Sequence, residues 1–185
     1  MSDIRINSRY AKSLLGLAEE KGVLEEVHQD MLLFSKTIGE NRDFSNMLKN
    51  PIIKHDKKLK ILKAIFSGKV HPMTISIFEI ISRKNRESFL AGIADEFHSQ
   101  YNVNKRIEEA KVTTTFPITP ELRAQFRQIV ERISGKSVEL TEVVDEDIIG
   151  GFILQIDDRQ IDDSINTKLK ELRSKFSKNP YIKEY

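Results

Sequence analysis

The sequence lacks cysteine and tryptophan altogether, and only 8 of its 185 residues are glycine and 5 are proline. The absence of cysteine excludes a disulfide framework, a thiolate metal site and a cysteine nucleophile. No run of about 18 apolar residues occurs, so no membrane-spanning helix is predicted. The N-terminus carries Asp3 and has no apolar run before Leu14, which indicates that there is no signal peptide. We therefore expect a soluble, intracellular protein.

What the sequence does contain is a normal share of apolar residues, 39%, with 31% charged residues. This composition is typical of a folded protein, and the length suits one ordinary domain or two small ones. The 30 Lys and Arg residues nearly balance the 28 Asp and Glu residues, giving a net charge of +2. Residues 1–105 carry a net charge of +4 and residues 106–185 one of −2. A protein held mainly by nucleic-acid phosphates usually has a larger, clustered excess.

Residues 1–105 show a helical repeat throughout. Apolar residues between Leu24 and Ile38 recur at intervals of three or four, which places them on one helical face. Lys21-Gly22 is a typical helix end, and Asn50-Pro51 breaks the chain because the residue before proline avoids the helical region. We count six helices and predict a six-helix bundle for residues 1–105.

After Tyr101 the period changes from helical to alternating. Ala110, Val112 and Thr114 alternate with polar residues and predict a strand. We predict a second strand from Val138 to about Val144. Ile148–Ile156 is predicted to be a third strand, turned toward Ile161 at Asp157-Asp158 or Asp158-Arg159.

Two helices accompany these strands. Thr119-Pro120-Glu121 predicts a helix start, because a hydroxyl cap, a first-position proline and a carboxylate follow one another. Asp162, Asp163 and Ser164 offer caps for a last helix, whose apolar stripe begins at Ile165. The predicted fold class is therefore α+β. It consists of a six-helix bundle (1–105) followed by a small α/β domain (106–185) with a short sheet and two helices, the boundary being a linker near Asn102–Glu108.

No catalytic constellation can be found in the sequence. The four histidines have no second histidine or carboxylate at the usual metal-ligand spacing. No glycine-rich phosphate loop and no nucleophile elbow occur. We therefore expect no catalytic residue, no bound metal and no cofactor.

The most basic segment contains five lysines and a histidine within ten residues: Lys54, His55, Lys57, Lys58, Lys60 and Lys63. Such a cluster is compatible with nucleic-acid binding. The apolar residues of the same helix share one face, so we assign the lysines to the solvated face. No aromatic residues are interleaved for base stacking, and the downstream half is acidic. A helical RNA-binding adaptor nevertheless remains the alternative hypothesis.

Two further segments have unusual patterns. The helix Met73–Arg83 is apolar nearly all round. Such a helix is either central in its bundle or buried on one side by a partner helix. Both interpretations remain open. Gly150-Gly151 lies inside a strand pattern, where glycine is destabilising. Either a bulge or a close crossing by a neighbouring helix requires the glycines, or a partner's backbone presses against them.

The segment Asp145–Leu154 (DEDIIGGFIL), followed by Asp162, Ser164 and Leu169, resembles the C-terminal signature of a known family. That family is the delta subunit of the rotary F-type ATP synthase, called the oligomycin-sensitivity-conferring protein in mitochondria. The signature residues are Asp145, Gly150, Gly151, Asp162 and Ser164. Weaker matches extend the resemblance over nearly the whole chain: Tyr10-Ala11-Lys12, Asn50-Pro51, Lys84-Asn85-Arg86 and Ala110-Lys111-Val112. Two turn positions depart from the family pattern, Glu146 where proline is common and Asp157 where glycine is common.

The resemblance implies a stator subunit that catalyses nothing. In the family, the helical N-terminal domain binds the N-terminal helices of the alpha subunits on the catalytic head. The C-terminal domain holds the b subunit of the peripheral stalk. Neither nucleic-acid binding nor direct membrane insertion is implied. Because no transit peptide precedes the first helix, a bacterial protein is expected, peripheral at the cytoplasmic face of the cell membrane.

The resemblance and the apolar fifth helix together lead to a site prediction. We predict an apolar groove between the first and fifth helices that binds an alpha-subunit helix. The residues predicted to border it are Tyr10, Leu14, Ile77, Ile80 and Ile81.

Overall fold

The computed structural model describes residues 2–156 and 158–177. The chain divides into two compact units, Met1–Asn104 and Lys105–Tyr185, which we call the helical unit and the sheet unit. The division falls one residue before the boundary expected from the sequence. Asp157, at which a turn was one of two predictions, lies outside the described residues.

The described part of the helical unit contains six α-helices and one short 3₁₀ helix, Glu87–Phe89. The α-helices are α1 (Ser2–Glu20), α2 (Leu24–Glu40), α3 (Arg42–Lys49), α4 (His55–Phe66), α5 (Pro72–Arg83) and α6 (Leu90–Lys105). The helix count agrees with the periodicity of the sequence. Gly22 lies between α1 and α2 with a φ of +68°, a left-handed conformation that glycine adopts without steric cost.

Aromatic side chains fill the centre of the helical unit. The ring of Phe34 lies 4.8 Å from that of Phe78 and 5.4 Å from that of Phe66, measured between centroids, and Phe44 packs edge-on against Phe34. Phe34, Phe66 and Phe78 are fully buried. Pairs of this geometry add favourable quadrupole interactions to the hydrophobic term. The core therefore joins α2, α3, α4 and α5.

A buried carboxylate fixes the start of α5. One oxygen of Asp30, Oδ2, accepts hydrogen bonds from the backbone N–H of His71 and from the hydroxyl of Thr74, both at 2.7 Å. The ring of His71 accepts a further bond from the backbone N–H of Met73 at 3.2 Å. A negative charge at this end is stabilising because the helix dipole is positive there.

The assignment of all five lysines to a solvated face was wrong for Lys58. Its ammonium donates to the carbonyl of Leu48 at 2.8 Å and lies 3.9 Å from the carboxylate of Glu87, and both charged side chains are buried. The hydroxyl of Ser82 donates to the same carboxylate at 3.0 Å. The sequence could not show this pair because Glu87 lies beyond the next helix.

The sheet unit is built on four strands. Its described elements are β1 (Ile107–Thr114), α7 (Pro120–Ser134), β2 (Ser137–Val144), a 3₁₀ helix (Glu146–Ile148), β3 (Phe152–Ile156), β4 (Arg159–Asp162) and α8 (Ile165–Ser177). The sheet order is β2-β1-β3-β4, with β1 parallel to β2 and antiparallel to β3. The predicted linker does not exist as such, because Arg106 alone separates α6 from β1.

Helix α7 covers one face of this sheet. Its first N–H groups are capped by Thr119, whose hydroxyl accepts from the N–H of Leu122, and it ends at Gly135 in the left-handed conformation. Phe126 and Val130 are its buried residues. They pack with alternate residues of β1 and β3 into a core completed by Ala110, Val112, Ile118, Leu154 and Ile156.

The predicted third strand was wrong in its first half. Residues 146–148 form a 3₁₀ turn and β3 begins only at Phe152, so Gly150 and Gly151 lie before the strand. The side chain of Asp145 accepts from the N–H of Asp147 and starts this turn. Ile149 has a φ of +65°, a strained conformation for a β-branched residue. Local capping therefore overrides the strand propensity of the isoleucines.

Candidate functional site

A cavity of about 250 Å³ lies between α1 and α5. It is lined from α1 by Tyr10, Ser13, Leu14 and Leu17, and from α5 by Met73, Ser76, Ile77 and Ile80. Four of the five predicted groove residues thus line one cavity. The fifth, Ile81, does not line it, because its side chain is fully buried in the core.

Both helices contribute to the cavity with the same spacing. Lining residues occur at positions i, i+3, i+4 and i+7 on α1 and again on α5, and this spacing places them on one helical face. Ser13 and Ser76 occupy equivalent positions in the two sets. Their small side chains leave space between the helices that larger residues would fill. Neither serine was among the predicted groove residues, although the shared spacing indicated them.

The polar groups of the cavity are already hydrogen-bonded. The hydroxyl of Ser13 donates to the carbonyl of Arg9 and that of Ser76 to the carbonyl of Pro72, each at 2.9 Å. Neither hydroxyl hydrogen is therefore available to a ligand in this arrangement. The cavity consequently suits aliphatic side chains.

The depth of the cavity comes from a difference in burial along its walls. Leu14 and Ile77 are buried and form the floor, whereas Leu17 and Ile80 are 43% and 47% exposed and form the rims. Burying half-exposed aliphatic side chains is favourable by roughly 25 cal/mol per Å². An apolar ligand that covers the two rim side chains would therefore be bound favourably.

A second apolar surface lies on α8 in the sheet unit. This helix contains no buried residue. Its four large apolar side chains fall within one arc of the helical wheel, and their exposed fractions range from 44% to 86%. They are Ile165, Leu169, Leu172 and Phe176, which we call the α8 stripe. Such a stripe normally faces a core, so its exposure marks a surface suited to a partner.

The flanks of the α8 stripe are cationic. The helix carries four cations against one acid, and Arg173 and Lys175 flank the stripe on opposite sides of the wheel. Lys168 is paired with Asp163 at 2.7 Å. A partner surface that carries acidic residues beside an apolar face would complement this arrangement.

The two glycines of the signature lie close in space to the first residues of α8 and to the residues just before it. Gly151 has a φ of +82°, and a Cβ atom there would lie 2.4 Å from the backbone oxygen of Asp163. A Cβ atom at Gly150 would instead meet the flexible end of Ile165, whose N–H donates to the Gly150 carbonyl at 2.9 Å. This geometry supports the interpretation of a close backbone crossing for Gly151, whereas Gly150 contacts only a side chain.

The other signature residues are capping groups. Asp162 accepts from the N–H of Ser164 and from the hydroxyl of Thr167, both at 2.9 Å. Ser164 in turn accepts from the N–H of Thr167 at 3.2 Å. The hydrogen bonds from Ser164, followed by that from Thr167, lower the pKa of Asp162. Asp162 and Ser164 therefore position the first turn of α8.

Two histidines that the sequence places far apart are neighbours. His28 Nε2 and His98 Nδ1 lie 2.9 Å apart, and the ring of His28 stacks on Tyr101 with centroids separated by 3.6 Å. Within residues 2–156 and 158–177, no group of three His, Cys, Asp or Glu residues could hold a metal ion. Over those same residues, no helix has both the length and the apolar character that crossing a bilayer requires.

Comparison with known proteins gives consistent matches over most of the chain. The family model for the ATP synthase delta (OSCP) subunit matches residues 6–176. The delta subunit from Cytophaga hutchinsonii is 43% identical over 177 residues, covering 96% of this chain and 97% of that protein. That from Amoebophilus asiaticus is 40% identical over 177 residues, covering 95% and 96%.

A solved structure has the same fold. A chain of the Toxoplasma gondii mitochondrial ATP synthase hexamer, determined by cryo-electron microscopy, superposes with a TM-score of 0.73. The alignment covers 92% of this chain and 96% of that chain at 21% sequence identity. This likeness extends to both units.

Proposed function

The chain belongs to the ATP synthase delta (OSCP) subunit family, a non-catalytic component of the complex, and from this we propose that it works as the stator link of a rotary ATP synthase. In this proposal the six-helix bundle of residues 1–105 binds alpha-subunit N-terminal helices on the catalytic head. Residues 106–185 bind the b subunit of the peripheral stalk. The protein then acts peripherally at the cytoplasmic face of a bacterial membrane.

One observation carries the proposal: each unit has its own apolar surface that nothing in the described chain covers. The helical unit has the α1–α5 cavity, and the sheet unit has the α8 stripe. A tether needs two separate attachment points, whereas an enzyme needs one site. Two such surfaces on two units meet that requirement.

The cavity suits one face of an amphipathic helix. Its lining residues repeat at helical spacing on both walls, so an occupant with apolar residues at i, i+3, i+4 and i+7 would match them. A peptide of the alpha-subunit N-terminal residues is the natural probe. Ile80→Asp should abolish measurable binding, because a carboxylate would be buried against apolar walls without a partner.

The matched control for this variant is Ile61→Asp. Ile61 lies on α4, away from the cavity lining, and is 38% exposed against 47% for Ile80. Both variants should remain folded by circular dichroism, since neither residue is buried. If a folded Ile80→Asp protein binds the peptide as tightly as the wild type does, the head-binding surface lies elsewhere.

The stator role itself is tested by removing one attachment point. Membrane vesicles reconstituted with residues 1–104 in place of the full chain retain the cavity and lack the α8 stripe. We expect the fragment to occupy the head without anchoring it, so ATP-driven proton pumping should be lost while ATP hydrolysis continues. Normal pumping with the fragment would contradict the proposal.

The alternative of an RNA-binding adaptor draws little support from the lysine-rich helix. Lys58 is buried in an ion pair, and Lys63 is paired with Glu79 at 2.6 Å. The basic segment is therefore partly neutralised within the chain. A titration with RNA at increasing salt concentration tests the alternative, since phosphate binding weakens steeply with salt.

A further inference from the structure

The turn before β3 is centred on an isoleucine with a rare backbone conformation. Ile149 has a φ of +65° and a ψ of −37°. The N–H of Gly150 donates to the carbonyl of Ile148 at 2.7 Å. A hydrogen bond from residue i+2 to residue i, around a central residue with positive φ and negative ψ, is the mark of the strained form of the γ-turn. The branched side chain of Ile149 adds to this strain.

The surrounding backbone fixes this γ-turn on both sides. The N–H of Ile149 donates to the carbonyl of Glu146 at 3.3 Å, and the carbonyl of Gly150 accepts from the N–H of Ile165 at 2.9 Å. The following residue, Gly151, lies at the backbone crossing described above. A strained conformation persists where the surrounding structure imposes it in this way. The Cα–Cβ bond of Ile149 therefore has a fixed direction.

The fold itself gains little from an isoleucine at this position. Ile148 is buried, whereas Ile149 is 65% exposed, so burial does not compensate for the strain. Glycine adopts a positive φ without steric cost, and glycine already occupies positions 150 and 151. Backbone strain of this kind is concentrated at sites that bind ligands or partners. The exposed side chain of Ile149 is therefore suited to contact another molecule.

The neighbours of Ile149 indicate which molecule this is. A Cβ atom on Gly150 would lie 2.7 Å from Cδ1 of Ile165, the first residue of the α8 stripe. Gly150 thus lies between the exposed Ile149 and the stripe. A partner helix that covers the stripe would reach Ile149 by extending about one further turn.

The charges beside Ile149 are opposite in sign to those along α8. Asp145, Glu146 and Asp147 precede Ile149 closely and are exposed, whereas the flanks of the α8 stripe are cationic. An amphipathic helix with a basic residue near Ile149 and acidic residues along the stripe would complement both regions.

We propose that Ile149 is an anchor residue for the peripheral stalk, where it packs against an apolar side chain of the b-subunit helix that covers the α8 stripe. The proposal rests on the stalk-binding function argued above and adds a contact outside α8, with a basic residue of the stalk beside it. The γ-turn holds the isoleucine in place before the stalk binds, so less conformational entropy is lost on binding.

The test measures stability and stalk binding in the full chain. Ile149→Gly removes the side chain and relieves the strain, so amide exchange in β3 should be no faster than in the wild type. Its affinity for the purified b subunit should nevertheless fall about tenfold. Ile149→Met, which is apolar but unbranched at Cβ, should bind within about twofold of the wild type.

Two control variants separate strain, flexibility and contact. Ile161→Gly, at a half-exposed isoleucine of β4, should speed exchange in β3, because glycine weakens a strand. Ile149→Ala removes the contact without adding the flexibility of glycine, and should weaken binding as much as Ile149→Gly does. Wild-type affinity in either Ile149→Gly or Ile149→Ala would overturn the proposal. Faster exchange of β3 in Ile149→Gly would also overturn it, because the isoleucine would then serve the fold.

The charge of the turn gives a second measurement. The double variant Glu146→Gln, Asp147→Asn should weaken b-subunit binding about threefold at about 50 mM salt, and less at about 500 mM, since salt screens exposed charges. Unchanged affinity at low salt would exclude a basic residue of the stalk beside Ile149.

Leu169→Ser, in the α8 stripe, separates this inference from the function on which it rests. If Leu169→Ser weakens b-subunit binding and Ile149→Gly does not, the stalk covers the stripe without contacting Ile149. If neither variant weakens binding, the assignment of the stalk surface itself fails.

Discussion

The helical unit and the sheet unit differ in how much of their apolar surface they bury themselves. In the helical unit, every helix contributes buried side chains, and charged groups such as Lys58 and Glu87 are paired inside. In the sheet unit, α7 closes a small core but α8 contributes no buried residue. The first unit therefore completes its own core, whereas the second leaves a whole helix face for another molecule.

This difference suggests two modes of attachment. The helical unit offers a preformed cavity, so the helix binding proposed above requires no rearrangement of its core. The sheet unit instead presents a helix whose stripe must be covered from outside. Small cores are marginal in stability, so we expect partner binding to stabilise the sheet unit more than the helical unit. Hydrogen exchange, which reports on each unit separately in the full chain, can measure this.

The largest effect on stability is expected when the buried charge pair of the helical unit is broken. Lys58→Met leaves the Glu87 carboxylate buried without its ammonium partner, which should cost about 3 kcal/mol in the free energy of unfolding. Hydrogen exchange of the amides in α3–α5 should increase, while that of β1 stays unchanged. Lys57→Met, on the exposed face of α4, is the control. Unchanged exchange in Lys58→Met would show that the pair is dispensable.

The next effect concerns the backbone crossing in the sheet unit. Gly151→Val places a branched side chain against the Asp163 carbonyl at a φ of +82°, which should destabilise this unit by about 2–3 kcal/mol. Gly150→Ala should cost less, because only the tip of Ile165 has to move. Urea unfolding followed by hydrogen exchange measures both. A Gly151→Val protein of normal stability that no longer binds the stalk would make the glycines a direct contact.

A smaller effect on stability distinguishes the two kinds of apolar surface. Leu169→Ser in the α8 stripe should change the free energy of unfolding by less than about 0.5 kcal/mol, because the side chain is half exposed. Leu154→Ser in the core should unfold the sheet unit. Only Leu169→Ser should leave the protein folded and weaken binding to the b subunit. Loss of folding in Leu169→Ser would place α8 in the core of the unit.

The smallest effect is a pH dependence of the sheet unit. The hydrogen bond from Arg123 on α7 lowers the pKa of Glu142 on β2 below its ordinary value of 4.5. The pair therefore stabilises the fold above pH 4.5 and loses this contribution as the pH falls through the lowered pKa. Wild type should exceed Glu142→Gln slightly in melting temperature at pH 6, and by less at pH 3. An equal difference at both values would exclude ionisation as the cause.

Local patterns in the sequence predicted the elements well because helices and strands depend on near neighbours. The repeat from Leu24 to Ile38 predicted α2, and the Thr119-Pro120 cap predicted the start of α7. The cavity was predictable in part, since Tyr10, Leu14, Ile77 and Ile80 were expected to border it. Ile81 could not be separated from Ile80, because an all-round apolar helix gives no direction for its core side.

What the sequence could not predict depends on residues distant along the chain. Lys58 pairs with Glu87, although the helix α5 lies between them in the sequence. His28 contacts His98, which lies seventy residues further along the chain. The strand prediction for Ile148–Ile156 failed for two reasons: the local cap at Asp145 starts a 3₁₀ turn, and the backbone of Asp163, twelve residues later, crosses close to Gly151. The contact between Arg86 and Tyr10 was equally hidden, since only the folded turn brings the two side chains together.

The position of β1 in the sheet has a mechanical consequence. Arg106 alone joins α6 to this strand, so in the proposed stator role a tension on the helical unit would reach Ile107 with almost no slack to take up. β1 is a central strand, in register with β2 over eight residues and with β3 over five. A force along the strand axis loads these hydrogen bonds together, as in shear, rather than opening them one after another. The sheet unit is thus attached at the strand that best resists being pulled out.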